Sequence, residues 1–137
     1  MGMLTVSGYF TNLIKVSEFV KAEAVNAGLD ASAVYAVDLS VEEACSNIIE
    51  HAYQGEGKGD IQVECQPIED GLEIEISDWG KPFDPESIPP LQVNVPIEDV
   101  GTRGAGLFLM RRMMDDVKFE FLPEGGNRLT MIKRKKG

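Results

Sequence analysis

Residues 43–53 read Glu-Ala-Cys-Ser-Asn-Ile-Ile-Glu-His-Ala-Tyr. Glu43, Asn47 and His51 recur every four residues, so on a helix they form one polar stripe. The opposite side of that helix is apolar, through Val34, Val37, Val41, Ala44, Cys45, Ile48 and Ala52, the pattern of a helix laid against a core. The stripe also has chemical potential. An Asn oxygen can ligate a hard divalent cation, and a Glu one turn away can polarise a water or hydroxyl beside it. Taken alone, a solvated helix face reads the same way, and only the later segments give the stripe weight.

Around this helix the periodicities alternate between helix and strand. Leu13, Val16, Val20, Ala24 and Ala27 predict a helix over residues 12–27, ended by Gly28. Asp30 or Ser32 can cap the next helix, which runs to about Tyr53. Gly55–Gly59 is a flexible turn. Ile61, Val63 and Cys65 then share one face of a strand, and Leu72, Ile74 and Ile76 one face of the next, with Glu69-Asp70-Gly71 as the hairpin turn. Five prolines between 80 and 105 exclude regular structure there and suggest a functional lid or a disordered segment. A helix resumes at Leu107, with Leu107, Met110, Met114 and Val117 directed inward. Lys118–Leu122 and Arg128–Lys133 form a last hairpin around Pro123-Glu-Gly-Gly126, and a short strand near Leu4–Tyr9 is a further candidate. The order helix, helix, strand, strand, lid, helix, strand, strand predicts an α+β fold, a two-layer sandwich with helices on one face of a mainly antiparallel sheet.

Two further segments carry chemistry. Asp78 has the parity of Leu72, Ile74 and Ile76, so its carboxylate points toward the apolar side beneath the helices. A buried charge needs a partner. A purine exocyclic amine, or a water beside it, would be one; the alternative is a carboxylate capping the Asp78-Trp79-Gly80 turn. Gly80 would let a flat ring approach the backbone. The segment Gly101-Thr-Arg-Gly-Ala-Gly106-Leu107 leads into a helix, where free backbone N–H groups and the helix dipole can cradle phosphate. Arg103 can add a charge-assisted hydrogen bond. A plain hinge would have the same glycines, and neither a P-loop nor a dinucleotide fingerprint is present. His51, the single histidine, fits packing near the helix end; Trp79 and Phe83 fit shielding of the lid base. Met110, Met113 and Met114 fit the core, or a partner surface.

Composition bounds the rest. A chain of 137 residues suggests one domain over 1–137. No run approaches the ~20 apolar residues of a membrane span, and no signal-peptide pattern opens the chain, so a cytoplasmic protein without membrane contact is expected. Cys45 and Cys65 fall on apolar positions and read as buried free thiols. The net charge of −10 argues against direct nucleic-acid binding. Four lysines face nineteen acidic residues up to residue 100, whereas nine basic residues face four acidic ones beyond it. An anionic ligand would therefore meet its favourable field in the last third.

These three elements, in this order, resemble the Bergerat-fold ATPases: DNA gyrase B, the heat-shock chaperone, sensor histidine kinases and mismatch-repair ATPases. Within them the chain is most similar to the anti-sigma-factor serine kinases of bacterial stress and sporulation switches. The similarity rests on Glu43-x-x-x-Asn47-x-x-x-His51-Ala-Tyr53, on Asp78-x-Gly80-x-x-Phe83, and on Arg103-Gly-x-Gly106-Leu107 before a helix, and it covers about residues 10–135. The resemblance implies ATP and Mg²⁺ as cofactors. Asn47 would ligate the Mg²⁺, Glu43 would be the general base, and Asp78 would recognise the adenine amino group beside Gly80 and Phe83. Arg103, Gly104, Gly106 and Leu107 would surround the phosphates under a lid of about residues 84–101. The family often has Gly-Thr before its last strand; this chain has Gly126-Asn127, with Thr130 three residues later as the carried-over ligand.

The function so implied is an ATP-dependent serine/threonine protein kinase and anti-sigma factor. Its substrate would be a small anti-anti-sigma protein, its rival partner an alternative sigma factor, and its assembly a homodimer. The alternatives are a nucleotide-gated regulatory binding module without phosphotransfer, or a stand-alone ATP-binding domain of histidine-kinase type, which would find its histidine on a partner.

Overall fold

The computed structural model describes residues 2–84 and 106–136. The proposed lid beyond Asp84, with Arg103 and Gly104, lies outside the described residues. Five strands, β1 (Gly2–Ser7), β2 (Asp60–Ile68), β3 (Gly71–Asp78), β4 (Asp116–Phe121) and β5 (Asn127–Arg134), form one sheet in the order β1-β2-β3-β5-β4. Every neighbouring pair is antiparallel. The helices are α1 (Leu13–Asn26), α2 (Ala31–Asn47) and α3 (Gly106–Met113), and α2 continues into a π-helical turn at Ile48–Ala52. The α+β sandwich expected from the patterning is the fold observed, with the N-terminal strand added at one edge.

The sheet's alternation explains the layering. Ile61, Val63, Cys65, Leu72, Ile74, Ile76, Leu129 and Met131 are buried, in one cluster with Val16, Val20 and Ala24 of α1 and Val37, Val41, Ala44 and Cys45 of α2. Each fully buried Ile or Leu contributes roughly 1.5–3 kcal/mol. Residues of opposite parity, such as Gln62, Glu64, Glu73, Glu75, Arg128 and Thr130, remain partly exposed, and Arg128 pairs with Glu75 at 3.3 Å across that face. Cys45 and Cys65 are buried free thiols as expected, their pKa values pushed up to about 12 chiefly by burial.

Local signals fix the helix ends. At the end of α1, Gly28 N–H donates to Val25 O at 3.0 Å and Leu29 N–H to Ala24 O at 3.1 Å, serving carbonyls that the helix leaves open. Asp30 caps α2, its Oδ1 accepting from Ala33 N–H at 2.8 Å; Ser32 takes no part. One expectation fails here. Val117 belongs to β4, not to the last helix, because α3 ends at Met113 and the chain turns through Met114-Asp115 into the strand.

Candidate active site

Asp78 and Asn127, at adjoining ends of β3 and β5, face each other in register. Both carry the parity that points under α2, and both are 1% exposed. Asp78 Oδ1 accepts from Gly80 N–H at 2.9 Å and from Asn127 Nδ2 at 2.9 Å. Both bonds converge on Oδ1 and neither engages Oδ2. Burial raises the pKa of Asp78 above its ordinary value, and the two hydrogen bonds oppose that rise only in part. The carboxylate thus caps its turn, as one reading of the sequence has it, and is also buried at the pocket floor.

Above this floor α2 supplies Ala44, Asn47 and Ile48. Glu43 is fully buried and Asn47 is 4% exposed, so the first two members of the polar stripe are enclosed rather than solvated. His51, one turn further, is exposed and stacks on the Phe83 ring, with centroids 5.8 Å apart. Phe83 meets Phe119 edge-on at 5.5 Å, and Phe119 meets Phe121 at 5.4 Å. Phe83 and Phe119 line the same pocket with Ile76, Met110, Leu129, Asp78 and Asn127, around about 330 Å³ of space open to solvent. Its lining, mostly apolar with a few placed polar groups, has the character of a ligand cleft. Trp79 lies outside this wall, 55% exposed.

The π-helical turn explains how the pocket's entrance is held. Tyr53 N–H donates to Ile48 O at 3.0 Å, a five-residue span that widens the helix. Ala52 O then accepts from Lys81 N–H at 2.8 Å, and Lys81 O accepts from Asn127 Nδ2 at 3.0 Å. The segment leaving β3 is clamped on both sides of one residue. Gly80 is required by this approach: a Cβ there would lie 2.6 Å from Ala52 O and 2.8 Å from Ala52 Cβ. Gly126, at φ +103°, is pressed on the Asp78 carbonyl in the same way. Gly80→Ala is expected to lower stability by about 1–3 kcal/mol, as overpacking does; urea unfolding checks it.

The structure therefore brings Asn47, Asp78 and Phe83 into one pocket, with Gly80 hydrogen-bonded to Asp78; Glu43 is buried one turn before Asn47 and does not line that pocket. Gly106 begins α3, with Leu107 next in the helix. Thr130 stands apart: it alternates with Leu129 and Met131, opposes Glu75 and Lys118 across the sheet, and does not line the pocket. The position beside Asp78 is taken by Asn127, which sequence reasoning did not choose as a site residue. Its signal was present, since Asn127 has the buried parity of Leu129 and Met131.

Among the described residues no three acidic, histidine or cysteine side chains gather as a metal site, and no helix is long and apolar enough to cross a membrane. Residues 9–133 match the histidine kinase-like ATPase domain family. The chain belongs to that family. This ATPase domain is similar to the serine-protein kinase RsbW of Listeria innocua serovar 6a, at 39% identity over 102 residues, which are 72% of this chain and 65% of that protein. It is also similar to RsbW of Bacillus velezensis, at 35% over 86 residues, 60% of this chain and 54% of the relative. The matched chain thus spans between about half and two-thirds of these relatives' length. A solved structure of the RsbU and RsbW domains of a Mycobacterium tuberculosis protein superposes on 98% of this chain and 32% of its own, with a TM-score of 0.63 at 13% identity. The histidine kinase domain of a blue-light activated kinase from Erythrobacter litoralis superposes on 94% of this chain and 61% of its own, with a TM-score of 0.55 at 14% identity. These two likenesses concern the fold.

Proposed function

We propose that this ATPase domain is an ATP-dependent serine/threonine protein kinase that also acts as an anti-sigma factor. One observation carries the reading: Asn47, one turn after the buried Glu43, shares a pocket with the sunken Asp78. A purine amine fits the floor, where the two hydrogen bonds to Asp78 both use Oδ1 and leave Oδ2 out. Ile76, Met110, Phe83 and Leu129 supply apolar walls for a flat ring. Asn47 gives a single oxygen toward Mg²⁺, which suits an ion that takes its other ligands from phosphates and water. Bound there, Mg²⁺ would neutralise charge on the phosphates during transfer. The work of the chain itself is positioning. Glu43 would orient a substrate hydroxyl and take its proton; Arg103, Gly104 and the start of α3 at Gly106 would hold the phosphate end beneath the lid.

By the same reading the hydroxyl belongs to a serine of a small anti-anti-sigma protein, an alternative sigma factor is the competing partner, and the kinase works as a homodimer in the cytoplasm. The similarity to proteins named serine-protein kinase supports this assignment. The test is incubation with γ-labelled ATP, Mg²⁺ and a small candidate substrate encoded beside this gene. Acid-stable label mapped to one serine is the expected result. Acid-labile label would move the assignment to histidine, and ATP-dependent partner capture without label would reduce it to a nucleotide-gated binding module.

A further inference from the structure

Three successive residues follow β3, and each gives its backbone N–H to a different partner. Trp79 N–H donates to Tyr53 Oη at 3.0 Å, Gly80 N–H to Asp78 Oδ1 at 2.9 Å, and Lys81 N–H to Ala52 O at 2.8 Å. The middle bond closes the turn on itself. The outer two fasten it to Ala52 and Tyr53, where the π-helical continuation of α2 ends. The Tyr53 hydroxyl also donates, to Asp60 O at 2.7 Å, next to the Ile61–Asp78 pair of the β2–β3 ladder. One oxygen therefore joins the end of α2, the start of β2 and the exit of β3, accepting from one backbone and donating to another. Burial raises the pKa of this hydroxyl, and the Trp79 bond opposes the rise only in part, so the proton given to Asp60 stays in place at neutral pH. The chain makes room for the ring, since a Cβ at Gly59 would collide with it.

Asn47 and Asp78 face one pocket from two elements, α2 and β3. A ligand that touches both needs their separation held, and Tyr53 lies on the continuation of α2, six residues beyond Asn47. We propose that Tyr53 is a positioning residue: by fastening the end of α2 to the segment after Asp78, it sets the separation at which one nucleotide meets Asp78 with its base and Asn47, through Mg²⁺, with its phosphates. This rests on the assignment of the pocket to ATP and Mg²⁺ and adds what holds the two ends in register. Without the hydroxyl, Lys81 N–H keeps Ala52 O as its partner, so the turn retains one anchor and pivots about it. Each end of the nucleotide then keeps its own contacts, and the simultaneous fit of both is lost.

Calorimetric titration of Tyr53→Phe with ATP, in Mg²⁺ and in EDTA, separates this role from a structural one. In EDTA the affinity is expected to stay within about 2-fold of the wild-type protein. The gain in affinity that Mg²⁺ adds is expected to fall about 5-fold or more, the order of one lost hydrogen bond. Trp79 is the single tryptophan, so its emission follows the same anchor without nucleotide, and its local depolarisation should be faster in the variant. Gly59→Ala, which displaces the ring and keeps the hydroxyl, is expected to move both readouts in the same direction. Circular dichroism checks folding, and Gly59→Ala carries the comparison should Tyr53→Phe not fold. A wild-type affinity that Mg²⁺ does not change, an unchanged gain in the folded variant, or equal weakening with and without the cation overturns the positioning role and leaves ATP binding standing. Wild-type protein that binds no ATP in either condition overturns the ATP assignment and the inference with it.

Discussion

Glu43→Gln is expected to bind ATP within about 3-fold of the wild-type protein and to transfer its phosphoryl group at least ~100-fold more slowly, the range for loss of a general base. The substitution keeps the shape of the side chain and removes its capacity to accept a proton. Glu43 is fully buried on α2, and replacing a buried carboxylate by its amide puts no new charge out of water, so the fold should survive. Asn47, Asp78 and Asn127 are untouched, which is why nucleotide affinity should change little. Calorimetry gives the affinity, and a single-turnover assay with the partner protein gives the transfer rate. Transfer at the wild-type rate would remove Glu43 from the mechanism, while loss of ATP binding with intact folding would make it part of the nucleotide site instead.

Asp78→Asn is expected to do the reverse of most site mutations, improving the fold while abolishing binding. An Asn at this position can still accept from Gly80 N–H and Asn127 Nδ2 through Oδ1, where both present bonds converge. Its Nδ2 would replace Oδ2 and meet the base's amine donor to donor, so ATP affinity should fall by on the order of 100-fold or more. Stability moves the other way. Burial holds the pKa of Asp78 above the ordinary 3.8, so folding disfavours the ionised form. Below the ordinary carboxylate range Asp78 carries its proton folded and unfolded, and the variant has no advantage. As pH rises through that range to the elevated folded value, the wild-type protein loses stability that the variant keeps. Melting temperatures across pH 3–7 should therefore diverge in favour of Asp78→Asn. A variant less stable at neutral pH would mean that the carboxylate is better satisfied than its surroundings indicate.

The layered fold was legible because each element states its period: three- and four-residue spacing in α1 and α2, alternation in β2, β3 and β5. Asp78 was legible as well, since parity alone sends it under the helices. Other features depend on contacts between distant residues. The enclosure of Glu43 and Asn47 could not be told from a solvated stripe, because a helical pattern does not say how much of its circumference the sheet and α3 cover. The π-helical turn at Ile48–Ala52 is bound to Lys81, far along the chain, by one backbone hydrogen bond. Asn127 reaches Asp78 only through the β3–β5 register. Thr130 was put forward by resemblance, against the alternation with Leu129 and Met131 that turns it to the other face. Val117 was drawn into the last helix because Met110 and Met114 share its spacing, although the chain turns at Met114-Asp115 and β4 begins at Asp116.

The most direct measurement of the central claim is a calorimetric titration of the purified chain with ATP and Mg²⁺, beside the same titration of Asp78→Asn. A pocket whose floor is a sunken aspartate predicts saturable binding of one ATP per chain in the wild-type protein, lost in the folded variant. Absence of binding in the wild-type protein, or equal binding by both, would contradict it.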